Sequence, residues 1–141
     1  QGNSVFEALA RRMEELPDLK VKFFLNIARR DRDTNTPNEV IVSQFAQQFR
    51  NRNWPKNCRL PEVYFDPRSV SKTKNSSLHA KCVVVDSKRV FVSSANFTNA
   101  GQDRNIEVGL NLDSPNLAKK LIHHFETLQE RGYLERAFGD T

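Results

Sequence analysis

Apolar residues recur at helical spacing in three stretches of the chain, and between them lie short runs that are continuously apolar or alternate with polar positions. In the first stretch Phe6, Leu9, Met13 and Leu16 fall on one helical face. Ser4 and Glu7 have the spacing of a capping box and Pro17 closes the segment, which predicts an amphipathic first helix. Residues 19–28, LKVKFFLNIA, are dense in β-formers and end in the charged run RRDRD, so a strand followed by an exposed loop is expected. Thr36, Pro37 and Glu39 then supply a cap, a proline at the first helical position and an acid in the first turn. Ile41, Phe45 and Phe49 give this second helix its apolar face up to about Asn51.

Residues 60–66, LPEVYFD, read as a short strand, and PRSVSKTKNSS after it has the composition of a mobile loop. In LHAKCVVVDSKRVFVSSAN, residues 78–96, two apolar runs flank Asp86-Ser87-Lys88-Arg89, whose residues suit a tight turn. A hairpin is expected there. A loop covers FTNAGQDR, and residues 105–112 alternate Ile106, Val108, Leu110 and Leu112 against polar neighbours, the pattern of a strand with one apolar face. Ser114 and Pro115 open a last helix carrying Leu117, Leu121, Phe125 and Leu128, with Gly132 just beyond its end. Helices and strands interleave, so the expected class is α/β, a mixed β-sheet flanked by helices on both faces. With no internal repeat and no linker, residues 1–141 read as one domain.

Composition narrows this only slightly. Hydrophobic residues make up 38% and charged residues 28%, which excludes disorder as the dominant state. No apolar run approaches the roughly 20 residues of a membrane helix, and no signal-peptide pattern is present; the chain reads as soluble and cytoplasmic, without a membrane partner. Gln1 in place of an initiator methionine reads as a fragment or processed chain, with room for a further N-terminal part. Cys58 and Cys82 make no disulfide framework, and Cys82, inside an apolar run, is expected as a buried free thiol. The formal net charge of +5 permits an anionic partner such as nucleic acid.

The candidate chemistry lies in the hairpin. His79 and Lys81 are two apart on one strand, as are Ser94 and Asn96 on the next, so pairing of the two runs would gather all four. Lysine, serine and asparagine donate to phosphate oxygens, and histidine can attack phosphorus or carry a proton near neutral pH. A metal site fits less well, because Lys81 repels a cation and no second histidine or carboxylate stands at ligand spacing. His123 and His124 are adjacent on a helix, face different directions and read as surface or packing residues. Taken singly, His79 is an ordinary strand-end histidine, Lys81 a snorkelling lysine and Asp86 a turn former; the joint spacing carries the reading.

That spacing is His79, one residue, Lys81, four residues, Asp86, six residues, then Ser93-Ser94-Ala95-Asn96. It resembles the H-x-K-x4-D-x6-G-S-x-N signature of the phospholipase D superfamily, with Ser93 standing where that family has glycine. The downstream NIEVG, holding Glu107, resembles the family's acidic strand, and the likeness extends from Leu19 to the last helix. It implies a phospholipase D-like half-unit in which His79 attacks phosphorus or protonates the leaving oxygen. Lys81, Ser94 and Asn96 would hold the non-bridging oxygens, Glu107 would orient His79, and Asp86 would support the turn. No cofactor and no metal are implied.

The family builds its site from two such motifs. A homodimer would supply the second, and a further part of a longer chain is the rival source. The compact, basic, single-motif form resembles the bacterial nuclease branch, including the phospholipase D-like proteins of phage-defence loci such as DISARM, whose other defence proteins would then be partners. Arg29, Arg30, Arg32, Arg68, Lys72, Lys74 and Arg104 fall in loops at predicted strand ends and are expected to form a basic rim for nucleic acid, DNA first among the options. The expected activity is a metal-independent phosphodiesterase acting on nucleic acid through a phosphohistidine. A phospholipid phosphodiesterase or phosphatidyl transferase, and a non-catalytic dimerising nucleic-acid-binding module, stay open beside it.

Overall fold

The computed structural model describes residues 2–73, 76–95 and 106–138. In chain order the elements are α1 (Gly2–Glu15), β1 (Lys22–Phe24), α2 (Asn38–Gln48), β2 (Glu62–Phe65), β3 (Cys82–Val85), β4 (Arg89–Ser93), β5 (Gly109–Asp113), α3 (Pro115–Glu130) and β6 (Glu135–Phe138). The class is α/β, with the strands in two three-stranded sheets ordered β1-β2-β6 and β3-β4-β5. The described residues divide into two compact units, one within Gln1–Leu78 and Tyr133–Thr141, the other within His79–Gly132.

In the first unit β1 runs parallel to β2, pairing Lys22 with Glu62 and Phe24 with Tyr64, while β6 lies antiparallel on the other side of β2. Parallel neighbours need a long crossover, and α2 lies within it. α1 begins at Gly2, so Ser4 lies inside the helix rather than ahead of it, and the capping-box expectation is corrected. Ala10 and Met13 are buried and Phe6 and Leu9 pack against the core, whereas Leu16, expected on the same stripe, is exposed. α2 begins one residue later than its sequence grammar predicts, with the Pro37 carbonyl accepting from the N–H groups of Val40 and Ile41 at 3.2 and 3.3 Å. It widens into a π-helical turn at Phe49–Asn53, closed by Trp54 N–H to Phe49 O at 2.8 Å. Pro55 disfavours helical geometry at Trp54, whose ψ of 142° ends the segment.

That turn drives Phe49 into an aromatic core. Its ring centroid lies 5.8 Å from Trp54 and 5.2 Å from Phe138, and Phe6 sits 5.7 Å away. Trp54 is buried with its indole N–H donating to Arg59 O at 3.0 Å, so its one polar atom is satisfied. Truncating Phe49 to alanine would cost about 3–5 kcal/mol.

The polar stretch after β2 is pinned rather than mobile at its described residues. Asp66 caps a 3₁₀ turn at Pro67–Val70 through Arg68 N–H at 2.9 Å, and it also accepts from Arg68 Nη2 and Ser76 Oγ, each at 2.7 Å. Hydrogen bonds from the Arg68 side chain outweigh burial and hold the Asp66 carboxyl down at about 2.

The second unit is the β3-β4-β5 meander with α3 packed on β3 and β4. Asp86 and Ser87 both take left-handed backbone, φ 53° and 51°, and Lys88 N–H donates to Val85 O at 3.0 Å. A turn of this hand follows the twist of the strands it joins, and aspartate tolerates it better than most residues. Ser114 Oγ accepts from Leu117 N–H at the start of α3, with Pro115 in the first turn, and Gly132 takes φ 71° beyond its end. Val90 and Ala118 are fully buried in this unit.

Candidate active site

The β3-β4 ladder pairs Cys82 with Val92 and continues one step through Ser93 N–H to Lys81 O at 2.9 Å. Lys81 therefore stands across from Ser93, and the expected pairing of His79 and Lys81 with Ser94 and Asn96 is offset by one residue. Such an offset exchanges the faces of a strand. β4 ends at Ser93, however, and the chain bends at Ser94, which frees that residue from the alternation.

Ser94 N–H donates to Val108 O at 3.0 Å, and Val108 N–H donates back to Ser94 Oγ at 3.2 Å. Ser94 Oγ also donates to Oε2 of Glu107. Lys81, Ser93-Ser94 and Glu107-Val108 thus lie at the ends of adjacent strands on one side of the sheet. Glu107, which the resemblance pairs with His79, accepts from Ser94 Oγ.

His79 faces Lys81. The lysine Nζ lies 2.9 Å from Nδ1 and 3.0 Å from Nε2 of the ring, and it donates to the His79 carbonyl at 2.8 Å. An ammonium so placed can donate to whichever ring nitrogen carries the lone pair. His79 and Ser94 are exposed, while Lys81 and Glu107 are half-buried. The free Cys82 beside them is half-buried rather than fully buried, and that burial pushes its thiol pKa up. Asn96 lies outside the described residues. Among the described residues no group of three or more His, Cys, Asp and Glu side chains is placed to hold a metal ion.

The basic rim is corrected at Arg29. Its guanidinium donates to Val70 O at 2.9 Å, Thr36 O at 2.8 Å, Asp33 O at 3.2 Å and Asn38 Oδ1 at 2.7 Å, and the side chain is only 9% exposed. It braces the segment after β1 against Val70 and the start of α2. Arg68 is half exposed, with its charge met by Asp66 at 2.7 Å. Arg30, Arg32 and Lys72 are exposed, and Lys74 and Arg104 lie outside the described residues. Asp66 is the residue the sequence reading missed, although an aspartate directly before a proline is the grammar of an N-cap.

Residues 20–129 match the family model described as "Cardiolipin synthase, PLD-like domain", and the chain belongs to this phospholipase D-like family. The chain is 35% identical over 106 residues to the DISARM protein DrmC of Bacillus paralicheniformis. That match takes in 74% of this chain and 37% of the relative, so the chain spans little more than a third of that protein. Among solved structures it is similar to the phospholipase D family member Nuc from Salmonella typhimurium, with a TM-score of 0.44 and 15% identity over 95% of this chain and 91% of that one.

Proposed function

We propose that the chain is a catalytic unit of a metal-independent phosphodiesterase that cuts nucleic acid, working within phage defence. The observation that carries the proposal is the line of Lys81, Ser94 and Glu107 along one sheet end, with the His79 imidazole held against the Lys81 ammonium. A ring nitrogen of His79 attacks phosphorus, an N–P bond forms and the P–O bond to the leaving group breaks. The Lys81 ammonium turns from the ring to a non-bridging oxygen, and Ser94 and Asn96 donate to the others, so fixed donors meet charge as it grows. Water then attacks the phosphohistidine and restores the imidazole.

The leaving oxygen needs a proton, and this chain offers no second histidine in a matching context. A second unit supplies it, most simply another copy across a twofold axis. Val83, Val85 and Phe91 share the register face of Lys81 and are 42, 48 and 36% exposed, apolar surface that a second copy would cover. Kinship with a DISARM protein supports the defence setting, and a net charge of +5 supports a polyanionic substrate.

The test is cleavage of oligonucleotides by the purified chain in EDTA, beside His79→Ala. Cleavage that survives chelation and is lost in the variant is expected. Strict dependence on a divalent ion, or wild-type cleavage by His79→Ala, would overturn the mechanism. Hydrolysis of phosphatidylglycerol vesicles with no cleavage of DNA or RNA would overturn the substrate.

A further inference from the structure

Within the first unit, a groove of about 490 Å³ is lined by Asn26 and residues 28–34 from one stretch of chain and by Ser69, residues 71–73, Ser76 and Ser77 from another. That volume lies in the roughly 300–1,000 Å³ range of ligand sites. Its lining carries four basic side chains, Arg29, Arg30, Arg32 and Lys72, against two acids, Asp31 and Asp33, and the remaining polar groups are mostly hydroxyls. Arg29 and Asp33 pair with each other at 3.6 Å. Among the described residues the other ion pairs are Arg12–Glu15, Arg68–Asp66 and Lys88–Asp113, so the exposed Arg30, Arg32 and Lys72 enter none. The groove therefore offers an anion three cations opposed by one carboxylate.

Two features show that it is built. Arg29 Nε donates to Val70 O, between the lining residues Ser69 and Ser71, and its Nη1 to Asp33 O, which ties the two lining stretches together before any ligand arrives. Arg32 has φ 67°, a backbone conformation that glycine or asparagine adopts at lower cost.

We infer that this groove holds a backbone phosphodiester of a polynucleotide through Arg30, Arg32 and Lys72, with Arg29 as the positioning brace. The inference rests on the nucleic-acid reading given above. Contacts of this kind carry affinity and register without reading sequence.

The test uses the whole chain and labelled single-stranded DNA and RNA oligomers of one sequence, titrated by fluorescence anisotropy across a salt series. The double variant Arg32→Gly, Lys72→Ala removes two cations, and glycine suits the backbone at position 32. Its logarithmic salt slope should be shallower by about 1.4, at about 0.7 per lost single-strand contact, with affinity lower by about tenfold. Lys119→Ala, Lys120→Ala on α3 removes the same charge elsewhere and should leave the slope near that of wild type. The KM for oligomers should rise in the first variant. Wild-type slope and affinity in Arg32→Gly, Lys72→Ala would overturn the subsite and leave the nucleic-acid reading standing. A wild-type chain that binds neither oligomer would overturn both.

Discussion

Ser94 Oγ donates to the Glu107 carboxylate and accepts from the N–H of Val108, so one hydroxyl ties the bend after β4 to the approach to β5. The tie fixes Ser94 where β4 can no longer do so. If Glu107 sets the site by its charge, Glu107→Gln should lower turnover by about 10² while the amide keeps a partner for the hydroxyl and the thermal midpoint scarcely moves. Ser94→Ala should lose comparable activity with a stability change of about 1 kcal/mol or less, because the hydroxyl is exposed. Full turnover in Glu107→Gln, measured beside an unchanged melting curve, would show that its charge takes no part.

Arg29 has the opposite profile. Its four donors meet carbonyl and amide oxygens of two loops, and removing them leaves those acceptors unpaired beside a cavity. Arg29→Ala should cost about 1–3 kcal/mol in denaturant unfolding, and Arg29→Lys should recover little, since an ammonium cannot span a planar fork of acceptors. A variant with wild-type stability and only a lowered nucleic-acid affinity would return Arg29 to the rim.

The Asp66 carboxyl titrates at about 2 in the folded chain against an ordinary 3.8, because Arg68 and Ser76 bind its ionised form. A carboxylate lowered on folding stabilises the fold above its unfolded value. That stability is fully present above about pH 4 and is lost as pH falls through about 2. The loss should amount to on the order of 1–2 kcal/mol, since Arg68 is half exposed and solvent screens the pair. Urea midpoints measured from about pH 5 to pH 2 should fall more steeply in wild type than in Asp66→Asn; parallel curves would show that this pair carries no linkage.

What the sequence made legible was local grammar. Pro37 with Glu39, the Asp86-Ser87 turn and Ser114 with Pro115 each act within a few residues, and each opens or turns its element within one residue of the position expected. Distant partners were not legible. Arg29 looked like a surface charge because Val70, which it reaches, lies 41 residues away. β6 escaped notice because ERAF has no apolar alternation, and it is a strand only because β2 offers it an edge. The register at Lys81 depended on a single residue in the hairpin turn, which composition does not specify. The pairing of His79 with Lys81 was legible, since two residues apart on an extended chain share a face whatever the register.

Attack by one imidazole leaves an alkoxide that must be protonated, and His123 and His124 sit on α3 in no motif like that of His79. A twofold pair of His79 side chains would supply nucleophile and acid from one sequence, because symmetry would give both copies the same surroundings and the substrate would decide which attacks. Mixing wild type with excess His79→Ala under subunit exchange should then depress activity more steeply than dilution, since a mixed dimer holds one imidazole. With ninefold excess of variant about 1% of dimers carry two, so activity per wild-type chain should fall roughly tenfold, where simple dilution leaves it unchanged. Sedimentation that finds a fully active monomer at assay concentration would defeat the dimer and direct the search for the second imidazole to another stretch of a longer chain.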